Sequence, residues 1–319
     1  MKKILTILLI IAAAVSPARA GDKETIRFDF CGDSIRISMA GSHFVDFDSI
    51  LSADAILRFN READKAGFEP LVTTLLEYKQ LRHLDDWLYY QLIRKTAQQL
   101  SPKAANYYRY TLYKWYLLTR SGYDATLRIT GDKMLFFVQS DENIYNIPAH
   151  VSKGKQYICL NYHDYGSNID FSSNRFSSLD IPVDGAVSGF SYKITRLPDF
   201  NSRDYTEKEL HFSYNENDYR YTIKLNPQIN TIFTNYPVVD YESYFNIPMS
   251  SETYRSLIPL LKKQVKGMNE KNGVDFLMRF TRYAFLFEPD SRQFGNEKRL
   301  SPEQTLLYDQ SDCEDRAAL

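Results

Sequence analysis

The sequence is poor in cysteine and histidine, has almost no net charge, and contains one long apolar run. Its 319 residues include 3 Cys and 5 His, and 39 basic residues nearly balance 40 acidic ones, for a formal net charge of −1. Such a balance gives no electrostatic argument for binding nucleic acid or an anionic membrane. No metal-ligand spacing surrounds His163 or His211, and we expect no nucleic-acid partner, no metal and no cofactor.

The apolar run lies at the N-terminus. Lys2 and Lys3 precede an apolar segment from Ile4 to Val15, and Ala18-Arg19-Ala20 supplies a small-x-small cleavage site. This is the pattern of a secretory signal peptide cleaved after Ala20, since the run is too short for the roughly 20 residues of a membrane span. The alternative is a buried N-terminal helix. We predict an exported chain, periplasmic or extracellular, with no transmembrane segment in its mature part.

Three cysteines cannot all pair within one exported chain. Cys31 and Cys159 lie in apolar, strand-like contexts, where a buried thiol and a mutual disulfide are both open interpretations. Cys313 lies among polar residues. It is therefore the candidate for a free, reactive thiol.

The mature chain is long enough for two domains, and its patterning predicts an α+β fold. Ile26, Phe28 and Phe30 alternate as in a strand, helices are expected over 81–100 and from Pro102 to Leu118, and strands over 125–130 and 134–138. We place an N-terminal α+β domain at 21–155, after a signal peptide at 1–20.

Period-two alternation follows and predicts a middle antiparallel β region over 156–249. Phe190, Tyr192 and Ile194 alternate with polar residues, and two further alternating runs flank a turn at 215–218. Helices are predicted next over 251–268, bent at Pro259, and over 274–287. Ser301-Pro302-Glu303-Gln304 reads as a capping box that opens a short helix.

The last residues carry the chemistry. Ser311 and Glu314 have capping-box spacing, which makes Ser311 the N-cap and Cys313 the N2 residue of a helix. Free backbone N–H groups at such a position favour a thiolate. Asp312 and Asp315, together with Glu314, oppose this effect, so a histidine partner would be needed to activate the sulfur.

The run from Asp312 to Ala317, preceded by helices, a polar loop and a short helix, resembles the transglutaminase-like superfamily. The resemblance covers roughly 250–319 and implies the N-terminal half of a papain-like, transglutaminase-type domain. It implies Cys313 as nucleophile, with the following N–H groups as part of an oxyanion hole. The implied activity is amide hydrolysis or acyl transfer on a peptide, isopeptide or protein substrate through a thioester. The alternative is a charged helix start that happens to include a cysteine.

The sequence departs from the family in one respect. A member carries its histidine and aspartate after the cysteine helix, whereas all five histidines here precede Cys313. We expect a truncated site that is inactive with these residues alone. The competing interpretation is a non-catalytic envelope protein that binds peptide, glycan or a protein partner through an aromatic-rich β region, because the chain has 24 Tyr and 20 Phe. Substrate and oligomeric state stay open.

The first helical region is interpreted as a degenerate copy of the same fold. Leu100-Ser101-Pro102 repeats the sequence at Leu300-Ser301-Pro302, and the order of helices and strands is similar. Tyr108 or Tyr113 would then stand near the position of a cysteine. Coincidence of a common element order is the alternative.

Overall fold

The structure is a computed structural model that describes residues 23–40, 44–47, 50–166, 169, 176–179, 181–295 and 298–319. The predicted signal peptide lies outside these residues. Helices and antiparallel sheet occur side by side, so the chain is an α+β protein. No described helix combines the length and the apolar character needed to cross a membrane.

The chain enters the fold as a hairpin of β1 (Lys23–Phe30) and β2 (Asp33–Ala40). Ile26, Phe28 and Phe30 face the core while Arg27 and Asp29 are exposed, which confirms the predicted alternation. Cys31 lies in the turn rather than in a strand, with a positive φ of 50°, and Gly32 follows with φ 89°. A side chain at Gly32 would come within 2.6 Å of the backbone nitrogen of Asn201, so the turn needs glycine for space as well as for conformation.

Four helices follow: α1 (Ala53–Lys65), α2 (Glu69–Arg82), α3 (Asp86–Leu100) and α4 (Tyr107–Arg120). The helix predicted from residue 81 is wrong at its start. Leu81 belongs to α2, which ends at Arg82 with His83 as its C-cap in the left-handed conformation (φ 51°), and α3 begins only at Asp86. The predicted entrance at Pro102 is also wrong, since the Asn106 side chain caps α4 by accepting from the backbone N–H of Arg109.

A five-stranded antiparallel sheet packs against these helices, in the order β6-β7-β4-β3-β8. Its strands, together with the short β5, are β3 (Ala125–Thr130), β4 (Lys133–Gln139), β5 (Ile144–Tyr145), β6 (Ala149–Ser152), β7 (Lys155–Cys159) and β8 (Ser177–Leu179). β7 pairs with β4 and β6. The sheet therefore runs across the domain boundary that the sequence placed after residue 155.

The predicted strand at 190–194 does not form a strand of any sheet. Phe190, Tyr192 and Ile194 are buried as the alternation predicts. The backbone N–H of Phe190 donates to the carbonyl of Gln139 at the end of β4. Beyond it, carboxylates on other elements accept the backbone N–H bonds: Asp86 from Ser191 at 3.0 Å, Glu142 from Tyr192 at 2.8 Å and Asp85 from Thr195 at 2.6 Å.

The second hairpin is confirmed, as β9 (Thr206–Tyr214) and β10 (Asn217–Leu225) around a turn at Asn215-Glu216. Both turn residues have positive φ, as a tight two-residue hairpin requires. It forms a two-stranded sheet of its own rather than part of a larger middle sheet. Short elements then lead onward: α5 (Gln228–Ile232), β11 (Val238–Val239), which pairs with β5, and α6 (Tyr241–Phe245).

The remaining elements are α7 (Ser251–Val265), α8 (Glu270–Tyr283), β12 (Leu286–Phe287), α9 (Asp290–Gln293), α10 (Pro302–Leu307), β13 (Gln310–Ser311) and α11 (Cys313–Ala318). The hairpin packs on α7 and α8 around a small core that includes Phe212, Ile223, Leu257 and Phe276. The capping box at Ser301 is confirmed in full. Pro259 lies inside α7, where the sequence placed it.

Buried Glu303 of α10 joins the parts of this C-terminal unit. Its carboxylate accepts from the backbone N–H of Ser250 at 2.7 Å, from the hydroxyl of Thr253 at 2.7 Å and, more weakly, from the backbone N–H of Asn226 at 3.4 Å. These partners lie at the end of β10 and the start of α7. One carboxylate therefore fixes three elements against each other.

Candidate functional site

Two short parallel strands position the residues around Cys313. Leu286 pairs with Gln310 and Phe287 with Ser311, which holds the chain extended up to the start of α11. The N-cap of α11 is Asp312, whose side chain accepts from the backbone N–H of Asp315 at 3.0 Å. The predicted cap at Ser311 is therefore wrong by one residue, and Cys313 is the first helical residue instead of the second.

The reason for this shift is visible in the contacts. Ser311 is held in its pairing with Phe287, and its hydroxyl accepts from Nε of Arg316 at 3.2 Å. Glu314, which the sequence assigned to the capping box, accepts instead from the hydroxyl of Tyr241 at 3.2 Å. Asp is as good an N-cap as Ser, so the spacing of Asp312 and Asp315 was a second cap signal in the same run.

Asp315 fastens α11 to the rest of the protein. It is fully buried, and its Oδ1 accepts from the backbone N–H of Leu300 at 2.8 Å and from the hydroxyl of Tyr244 at 2.7 Å. Burial raises the pKa of Asp315 to about 7, although these two hydrogen bonds act in the opposite direction. Sequence reasoning missed Tyr244, because no local pattern links it to residues so far along the chain.

Arg316 links the first turn of α11 back to Ser311, the residue before the N-cap. Its Nη2 donates to the Ser311 carbonyl at 3.0 Å, so the guanidinium bonds both the side chain and the backbone of that residue. Burial lowers the pKa of Arg316, and the charge of Cys313 partly offsets this effect. The thiol and the guanidinium are thus close enough to interact.

Cys313 itself is exposed, unlike the other two cysteines. All three are free thiols, so Cys31 and Cys159 are not bonded to each other. Burial, followed by the charge of Asp33, raises the pKa of Cys31 to about 12. Burial raises the pKa of Cys159 to about 12 as well. Both are thereby poor nucleophiles.

The histidines that the structure describes make their contacts elsewhere. His83 caps α2, and the ring of His150 stacks on Tyr157 in the sheet. His163 lies 3.2 Å from Asp164, and His211 lies 3.7 Å from Asp218 on the second hairpin. Within the described ranges, therefore, no histidine is brought to Cys313.

An apolar groove of ≈ 490 Å³ lies beside α11, between α7 and α8. Leu257, Leu261 and Phe280 form its floor, and Arg316 and Ala317 contribute from α11. Exposed aromatic rings lie near the segment 310–313, which we call the cysteine turn. Tyr241 and Phe245 stack with centroids 5.5 Å apart, and the guanidinium of Arg316 lies 5.7 Å from the ring of Phe287.

The aromatic residues of the β region are mostly core. Phe190 and Tyr192 pack into the large core with the helices, and Phe212 and Tyr221 pack into the small one. The exposed aromatic surface lies instead near α6, α7, α8 and β12. Of the tyrosines considered for a degenerate copy, Tyr113 accepts from the backbone N–H of Val45 at 2.9 Å, and Tyr108 donates to the carbonyl of Asp132.

Three carboxylates lie together behind the cysteine turn. Asp290, Asp312 and Asp315 place oxygen atoms within 4.8 Å of one another, a spacing that could hold a cation. Lys298 already supplies positive charge there: burial lowers its pKa, and Asp290 and Asp315 act in the opposite direction. The chain matches no family model, no curated protein and no solved structure.

Proposed function

We propose that Cys313 is the nucleophile of a transglutaminase-like, papain-type site, which would act on peptide or isopeptide amides of exported proteins when a histidine and an aspartate complete it. Its thiolate would attack the amide carbon, the amine would leave with a proton supplied by a general acid, and water or a second amine would resolve the thioester. The papain-like fold and the exported location belong to this proposal.

The proposal rests on one observation: among the residues that the structure describes, the neighbours of Cys313 make structural contacts, and Cys313 does not. Asp312 caps the helix, Asp315 bonds Leu300 and Tyr244, and Arg316 bonds Ser311. Cys313 is the one residue of the run 311–316 that is exposed as a whole. A thiol held on a fixed turn, beside an apolar groove and exposed rings, fits attack on an extended peptide.

Alkylation of the native chain tests the proposal without requiring turnover. With iodoacetamide at about pH 7, we expect Cys313 to react severalfold faster than a model thiol such as glutathione, because the N–H groups at the start of α11 and the charge of Arg316 favour the thiolate even without a histidine. Mass spectrometry of tryptic peptides assigns the label, and the partly buried Cys31 and the buried Cys159, whose thiols have raised pKa values, serve as internal controls. Cys313→Ser should abolish the fast phase.

Arg316→Gln should slow the labelling of Cys313 severalfold, because it removes a positive charge next to the sulfur and a contact that holds the turn. Arg220→Gln, an exposed change on β10, is the matched control and should leave the rate unchanged. Labelling of Cys313 no faster than glutathione would contradict the proposal. It would favour a non-catalytic envelope protein that binds a peptide, glycan or protein partner.

A further inference from the structure

A second cavity, of ≈ 380 Å³, lies far along the chain from Cys313, where β1, α3, α4 and α5 meet. The polar residues that matter here are Asp29 of β1 and Gln91, Arg94 and Lys95 of α3, with Thr231 of α5 at the rim. Its size lies within the usual range of small-molecule sites. Because four separate segments form it, the cavity is a product of the tertiary fold and not of one loop.

Gln91 has an unsatisfied donor in this wall. The side chain is 7% exposed, and its Oε1 accepts from Nη1 of Arg94 at 2.8 Å. A guanidinium can only donate, so this contact identifies the oxygen of the amide. The amide nitrogen is buried and has no acceptor among the described residues. Buried polar groups are nearly always bonded, and an acceptor on a ligand in the cavity would satisfy this one.

The wall also carries excess positive charge. Within the part of the chain that the structure describes, no carboxylate lies within 4.0 Å of Arg94 or Lys95. Asp29 is the one acidic residue among those lining the cavity, so the lining sums to one positive charge.

More positive charge lies behind the wall. Buried Lys114 places its Nζ 4.5 Å from the ring centroid of Tyr110, a residue that lines the cavity. Burial lowers the pKa of Lys114 to about 7; Asp164 raises it, and Arg94 lowers it further. Asp164 is shared, since Nζ of Lys103 bonds it at 2.5 Å. Asp164 offsets part of this charge, so an anion in the cavity would meet chiefly the net positive charge of its lining, Arg94 and Lys95 against Asp29.

We propose that this cavity binds a small organic monocarboxylate with an apolar body. The planar fork of Arg94 matches a carboxylate, and Gln91 and Thr231 add donors around it. One surplus positive charge in the lining suits a monoanion better than a doubly charged phosphate. The buried side chains of Phe30 and Ile232 provide the apolar wall for the ligand body.

Calorimetric titration of the full chain with benzoate tests the proposal. We expect saturable binding of benzoate, with benzamide, its neutral counterpart, and inorganic phosphate each at least about tenfold weaker. Equal binding of benzamide would overturn the role of the charge, and tighter binding of phosphate would overturn the ligand class. No saturable binding of benzoate up to about 20 mM would overturn the site itself.

Variants locate the bound ligand. Arg94→Gln should weaken benzoate binding by about tenfold or more, while Arg94→Lys should recover only part of it, because the charge returns without the fork. Arg36→Gln, an exposed change of equal charge on β2, is the control. Thr231→Trp blocks the rim at an exposed position and should abolish binding even if the Arg94 variants fold poorly. Binding that survives Thr231→Trp would contradict the proposal.

Discussion

The N-terminal and C-terminal cores use the same kinds of side chain but enclose them to different extents. In the N-terminal core, four helices, a five-stranded sheet and the first hairpin all contribute buried apolar side chains, and the hydroxyl of buried Tyr113 accepts from the backbone N–H of Val45. In the C-terminal core, two helices cover one face of a two-stranded hairpin. Met278, which lines the groove beside this core, is 64% exposed. Similar composition thus gives a closed core in one region and an open, groove-forming one in the other.

A matched pair of truncations should show this difference most strongly. Phe59 and Phe280 are both 1% exposed, but Phe59 packs within the closed core and Phe280 lines the groove. Phe59→Ala should cost about 5 kcal/mol of unfolding free energy, and Phe280→Ala about 3 kcal/mol, because the open site relaxes around the loss. Chemical denaturation measures both. Equal costs would contradict the distinction between the cores.

Loss of Glu303 should come next in effect. Glu303→Ala leaves the Ser250 and Asn226 N–H groups without their buried acceptor, while the Thr253 hydroxyl keeps the carbonyl of Lys224 at 2.8 Å. We expect a loss of about 3 kcal/mol, and a smaller loss for Glu303→Gln, which keeps one accepting oxygen. If the two variants unfold at the same denaturant concentration, hydrogen bonding at Glu303 is not what joins the C-terminal elements.

Lys114 gives the closed core a pH dependence. Its pKa is about 7 in the folded chain, against 10.5 as its ordinary value, because of burial first. Between these pH values unfolding takes up a proton, so stability rises with pH through this window, by about 1 kcal/mol per unit.

Lys114→Met should remove this contribution to the pH dependence of stability. The variant should be more stable than the parent at and below about pH 7, and the gap should narrow by about 1 kcal/mol per pH unit as the pH rises from 7 toward 10.5. Urea titrations of both proteins across this range measure the gap, and other titrating groups cancel in the difference. A gap that does not change with pH would rule out a charged Lys114 as its cause.

The smallest effect expected is at the capping box of α10. Ser301→Ala removes the acceptor for the backbone N–H of Gln304 and should cost about 1 kcal/mol. Ser52→Ala, at the cap of α1, is the matched change in the N-terminal region. The two losses should be similar, because a cap acts locally and does not depend on how completely the core is closed.

Local signals in the sequence predicted local structure well. Alternation with a polar turn gave the second hairpin, and the spacing of Ser301 and Gln304 gave the start of α10. The same signals failed where two patterns overlap. Leu81 and Leu84 continue the helical spacing of α3 back past His83, where α2 ends. Leu81 is nevertheless 56% exposed, so helical spacing alone did not reveal the boundary between the two helices.

What the sequence could not give is which segments meet. Period-two alternation at 190–194 predicted the buried face correctly, but it says nothing of what accepts the backbone hydrogen bonds. The second hairpin was grouped with a middle β region, whereas its apolar face packs on α7 and α8. At Cys313 the run of polar residues was recognised, while the partners Tyr244 and Leu300 come from tertiary contacts.

The segment around Tyr192 illustrates a different way of fixing a backbone. In a β-sheet, a series of backbone hydrogen bonds to the neighbouring strand fixes the position of each strand. Here separate side chains, those of Asp85, Asp86 and Glu142, each hold a single amide or two. The course of the main chain is therefore encoded in replaceable side chains, and point mutations can release it one peptide group at a time.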